Sequence, residues 1–120
     1  MSVAIRADRE GDHADLAATG PFDLAHATAV GQALKNARAR CEGCRSVDVD
    51  LAQVDRIDGA GAILLARLLD RLDADGRHPR VVEDRNPEAA RLIALYRGRG
   101  AVLPAQERTM NLLARIGTVA

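Results

Sequence analysis

The stretch "SVDVDLAQVDRIDGAGAILLARLLD" (residues 46–70) changes period partway along. Up to Leu51 it alternates, with Val47, Val49 and Leu51 on one side and Asp48 and Asp50 on the other. Alternation of this kind predicts a half-buried strand. From Asp58 the apolar residues Gly61, Leu64, Leu65, Leu68, Leu69 and Leu72 recur at three- and four-residue steps, while Arg67, Asp70, Arg71 and Asp73 take the opposite side. That pattern predicts an amphipathic helix. A strand running through a short loop into a helix needs a covering layer and a parallel neighbour, so this stretch sets the fold class.

Asp58 suits the N-cap, where its carboxylate can accept from the amide of Ala60 or Gly61. Gly59 and Gly61 leave the backbone bare at the helix start, which serves either tight internal packing or the close approach of another surface. The helix start also favours an acidic or phosphorylated partner. These glycines match neither GxGxxG nor a GK[ST] ending, so a nucleotide loop is not indicated.

Outward from this stretch, "SVAIRADRE" and "ADLAATG" read as two strands joined by the turn "EGDH". Leu24, Ala27, Val30, Gly31, Leu34 and Ala37 form a helical stripe over Asp23–Arg40, with Asp23 as N-cap. "CEGCR" breaks that helix, Gly76 suits a left-handed helix stop, and "RVVE" is a short strand. Asn86-Pro87-Glu88 opens a third helix with a cap, an N1 proline and an acidic first turn, and "RGRG" closes it. A last amphipathic helix is predicted over residues 105–116. The order β-β-α-β-α-β-α-α predicts an α/β fold: a four- to five-stranded mixed sheet with three to four helices mainly on one face. The 120 residues fit one domain, with residues 1–103 as its body and 104–120 as a C-terminal helix or linker.

Composition excludes several functions. Seventeen basic and seventeen acidic residues cancel, so no net field recommends nucleic acid. Phe22 and Tyr96 are the only aromatics, too few for base-stacking platforms. No apolar run reaches the roughly 20 residues of a membrane span, and "MSVAIRADRE" lacks the pattern of a secretory signal. The expectation is a cytoplasmic chain. Cys41 and Cys44 form a single CxxC after a helix and before a strand, short of a zinc site and misplaced for a thioredoxin-type motif. Asp48 and Asp50 share a strand face that could hold a metal, but no histidine or glutamate joins them in sequence, so no metal and no cofactor is expected. Ser2, Ser46 and the four threonines have no nucleophile elbow or neighbouring base, and no enzyme is expected.

Residues 46–83, with "GPFDLAHATAVGQAL" and the hairpin before them, resemble STAS domains, the sulfate-transporter and anti-sigma-factor-antagonist family. In that family a strand ending in Asp-Leu leads to an Asp-Ser/Thr-Ser/Ala-Gly signature opening a leucine-rich helix. "DGAGAILLARLL" with "NPEAARLIALYRGRG" is most similar to STAS segments fused to Mla-type permeases of ABC lipid transporters, whose usual signature is Asp-Thr-Ala-Gly-Ala. The resemblance implies a non-enzymatic module docking on the transporter's ATPase subunit. It meets the membrane only through a fused or partner permease, for which residues 104–120 would be the link, and homo-oligomers stay open. It implies Asp58, Gly59, Ala60, Gly61, Ile63 and Arg67 as the contact surface. The chain departs from the family where it matters most. Gly59 and Ala60 replace the hydroxyl-bearing positions, so no phosphate can be attached there and the docking edge is always available. A stand-alone anti-sigma-factor antagonist acting by partner switching is the competing reading.

Overall fold

Residues 2–98 are described by a computed structural model of the chain. β1 (Ala4–Glu10) and β2 (His13–Phe22) pair antiparallel around a two-residue turn, from Glu10 opposite His13 to Ala4 opposite Thr19. β3 (Ser46–Ile57) and β4 (Pro79–Val81) add in parallel, giving the order β1-β2-β3-β4. Between the parallel strands run the crossover helices α1 (Ala27–Arg40) and α2 (Gly59–Ala74), and α3 (Pro87–Ala94) follows β4. The sheet is thus four-stranded and mixed, with three helices. The helix expected over residues 105–116 and the 104–120 link lie outside the described residues.

Alternation holds the layers together. Ala14, Leu16, Ala18 and Phe22 of β2 are buried with Val47, Val49 and Leu51 of β3, under Val30, Leu34 and Ala37 of α1 and Leu65, Leu69 and Leu72 of α2. Each fully buried leucine or phenylalanine contributes about 1.5–3 kcal/mol relative to an exposed one. The other sheet face carries His13, Asp15, Asp48 and Asp50 in partial or full contact with solvent.

Two elements differ from the sequence reading. β3 does not stop at Leu51 but continues to Ile57, because β2 follows it through two register shifts to pair Pro21 with Arg56 and Phe22 with Ile57. Pro21 is tolerated because pairing with β1 has already ended at Thr19, so no partner there needs its missing N–H. The first helix starts at Ala27, not after Asp23. Asp23 instead closes a 3-10 turn, Leu24–His26, accepting at 3.1 Å from the His26 amide. Leu24 therefore leaves the buried stripe and stands 51% exposed.

The expected stop of α2 and the expected cap of α3 are in place. Gly76, at φ +80°, donates to Asp73 O, and Arg77 N donates to Leu72 O, both at 2.9 Å, a Schellman closure of α2. Asn86 accepts from Ala89 N and donates to Leu51 O at 3.1 Å, so one side chain both starts α3 and ties it to β3.

Two carboxylates set an acid limit on this fold. Asp23 is buried, and a hydrogen bond from His26 holds its carboxyl below the ordinary range, against the cost of burial. Asp75 is held low chiefly by its hydrogen bonds from Arg38, at 3.0 and 3.1 Å. Both folded pKa values lie below their unfolded ones, near 3.9. The unfolded state then binds more protons, and stability rises with pH through this window. The contribution is complete above about pH 5 and is lost progressively as pH falls through the unfolded and then the depressed folded values. Denaturant titrations in that range should show a shallower pH slope in Asp23→Asn than in the wild type; an unchanged slope would contradict the assignment.

Candidate functional site

The start of α2 is built by one carboxylate. Asp58 has extended backbone, and its Oδ1 accepts from Gly61 N at 3.0 Å. Its Oδ2 accepts at 3.1 Å from Leu24 N, and its own N–H donates to Phe22 O at 3.3 Å. Asp58 thus caps α2 and pins the end of β2 and the 3-10 turn beside it. The sequence supplied the cap; the tie to Leu24 is long-range and was not visible there.

The predicted contact residues do not all face outward. Gly61 is buried, and a Cβ on it would lie 1.8 Å from Phe22 O. Its bareness serves close packing against the Phe22 backbone. Gly59 is half-buried, and a Cβ there would come 3.3 Å from the Tyr96 hydroxyl. Ala60 and Ile63, 9% and 6% exposed, form a small cluster apart from the main core, with Leu64 and Tyr96 packed on it. Arg67, one turn further on, is half-buried, and burial first, then neighbouring Arg71, lowers its pKa. Asp58, Gly59, Ala60 and Ile63 therefore gather at the first turns of α2, with Arg67 at their far end.

Two residues missed by the sequence reading belong to this region. Leu24 is one of two large exposed hydrophobics among the described residues, the other being Leu95. It is fixed beside Asp58 by the hydrogen bond just described. Tyr96 follows α3 and places a hydroxyl over Gly59, where the local sequence has none. Nothing local in the sequence marks Leu24, which fits the helical stripe, and placing Tyr96 needs the packing of α3.

Other sequence candidates resolve as follows. His13, isolated in sequence, does meet Asp48 across the β2–β3 pair. The ligand atoms of His13, Asp15 and Asp48 lie within 4.8 Å of one another. Each already has side-chain partners: His13 meets Ser46 at 2.6 Å and Asp15 at 3.0 Å, and Arg80 spans Asp48 at 3.0 and 3.3 Å. Asp50 accepts from Ala52 N of its own strand at 2.9 Å. Cys41 and Cys44 are buried free thiols in a turn closed by Cys44 N donating to Cys41 O at 2.9 Å. Burial, then the second thiol, pushes the Cys41 pKa up, so little of it is thiolate at neutral pH. A thiol-specific reagent at mildly alkaline pH should modify native protein far more slowly than protein in denaturant. Equal rates would contradict this placement.

Among the described residues no helix is long and apolar enough to cross a membrane. A sequence model of the family described as Mlab, STAS domain, matches residues 5–104. An anti-sigma factor antagonist from Mycobacterium paratuberculosis has a similar structure, with a TM-score of 0.59 at 18% identity over 78% of this chain and 80% of that one. The anti-sigma factor antagonist SpoIIAA in its unphosphorylated form gives a TM-score of 0.55 at 10% identity, over 92% of this chain and 98% of that one. Both likenesses are of fold. A structure of Mglu shares 39% identity and a TM-score of 0.52 over 64% of this chain, which spans only 19% of Mglu. A search of curated protein sequences finds no match. The mixed sheet, the capped leucine-rich helix after β3 and the family match over residues 5–104 agree: the chain belongs to the STAS domain family.

Proposed function

We propose that the chain is a non-enzymatic docking module whose contact edge is the start of α2, and that its partner is the ATPase subunit of an ABC-type lipid transporter. The observation that carries this is that the Asp58 carboxylate which caps α2 through Gly61 N also holds the Leu24 amide, bringing exposed Leu24 to the helix start. Asp58, Gly59 and Leu24 offer bare backbone and one apolar side chain to a partner, with Ala60, Ile63 and Arg67 along the same helix. No serine or threonine lies between residues 47 and 108, so the first turns of α2 carry no such hydroxyl to phosphorylate. The resemblance of "DGAGAILLARLL" and "NPEAARLIALYRGRG" to permease-fused STAS segments favours the transporter reading. The chain would then act on the cytoplasmic side of the inner membrane, beside or fused to a permease.

Calorimetric titration with the ATPase subunit of an ABC-type lipid transporter from the same organism tests this. Binding is expected, with affinity lowered at least about tenfold, or roughly 1.4 kcal/mol, by Leu24→Asp and by Gly59→Trp. No binding to the ATPase, together with binding to an anti-sigma kinase, would replace this reading with that of a partner-switching antagonist. The likeness of fold to the two antagonists makes that the second partner to try.

A further inference from the structure

On the flank of α2 turned toward α1 lies a groove of about 350 Å³. Its apolar lining is Leu34 of α1 with Leu64 and Leu68 of α2. Every charged group lining it is a cation: Lys35 and Arg38 from α1, Arg67 and Arg71 from α2. In a chain whose formal charge sums to zero this is a local concentration of one sign. Asp75, outside the lining, holds Arg38, and Lys35 and Arg71 stand exposed on opposite walls.

Gly31 marks the same groove from the other side. It lies inside α1, where glycine is disfavoured relative to alanine, yet a Cβ there would meet nothing within 4 Å. Internal packing does not require a glycine at this place. Its bare backbone instead deepens the groove beside Leu34.

We propose that the α1–α2 groove is a second docking surface, taking an acidic amphipathic helix of a partner protein. Spacing decides for an extended partner over a single anionic headgroup. Lys35 and Arg38 are three residues apart and Arg67 and Arg71 four apart, so each wall carries cations about one helical turn, roughly 5.4 Å, from each other. Two such rails match carboxylates on both flanks of a helix whose apolar residues meet Leu64, the partly exposed leucine of the groove, above buried Leu34 and Leu68. A headgroup would call for cations converging at one end. The chain's own residues 104–120 are a poor occupant, since their charged residues are Glu107, Arg108 and Arg115. This surface goes beyond the docking edge proposed above and shares only Arg67 with it.

The test uses the full chain and a fluorescein-labelled synthetic helix with leucines at three- and four-residue steps and glutamates on both flanks. Its control has glutamine for glutamate. Anisotropy titrations should show the glutamate helix binding at least about tenfold more tightly than the control, with affinity falling as salt rises. Lys35→Glu with Arg71→Glu should remove that advantage, and Gly31→Leu should weaken binding several-fold by filling the groove. Circular dichroism should show both variants folded, as expected for exposed charges and an open Cβ position. Leu24→Asp and Gly59→Trp should leave this affinity unchanged even where they abolish ATPase binding, so the two proposals can fail separately. Equal binding of the control helix would overturn the inference, as would affinity indifferent to the charge reversals. So would binding to phosphatidylglycerol vesicles with none to the glutamate helix.

Discussion

Gly61→Ala is expected to lose at least about 3 kcal/mol of folding stability, or to fail to fold. A Cβ would sit 1.8 Å from Phe22 O and 2.5 Å from its carbonyl carbon. Backbone on both sides of that contact is fixed, by the β2–β3 ladder and by the Asp58 cap. Relief would have to come from shifting α2 off the sheet, which carries Leu65, Leu69 and Leu72 with it. Overpacking of a tight core commonly costs about 1–3 kcal/mol, and this overlap is against backbone with no rotamer to yield. Gly31→Ala supplies the contrast, since its Cβ meets open space. Removing a helix-interior glycine should raise stability by up to about 1 kcal/mol. Urea titrations of both variants check the pair, and a small effect at Gly61 would contradict the packing described.

Asp58→Ala should cost about 2 kcal/mol. Loss of an N-cap bond to Gly61 accounts for about 1 kcal/mol, and loss of the bond from Leu24 N for about as much again. Asp58→Asn keeps an acceptor for one of these bonds and should recover roughly half. The two contributions have different structural readouts. Amide exchange should speed up at the first turn of α2 and also at Leu24 N, which is far away in sequence. Acceleration confined to α2 would show that the cross-tie is not formed.

These two positions also show how far the sequence can be read. The Asp58 cap, the leucine stripe of α2, the Gly76 stop and the Asn86-Pro87 start are all local signals, set by hydrogen bonds and periodicities within one or two turns. Each is found where the sequence places it. What the sequence leaves open depends on neighbours distant along the chain. Bare glycines fit packing and docking equally, and only the position of Phe22 assigns Gly61 to packing. Leu24 matches a helical step from Ala27 and Val30, but Asp23 bonds His26 N and Asp58 holds Leu24 N, which turns the side chain out. The meeting of His13 with Asp48 is a consequence of β2–β3 register. Tyr96 reaches Gly59 only because α3 packs back on α2.

In the proposed function the start of α2 is a docking edge without a phosphorylation switch. The most direct test of that function is one binding measurement against the ABC ATPase subunit, made before and after incubating the chain with ATP and an anti-sigma kinase. Intact-mass spectrometry is run on the same samples. The account predicts tight binding in both, unchanged mass, and loss of binding in Leu24→Asp. Phosphate on the chain accompanied by release of the partner would contradict it.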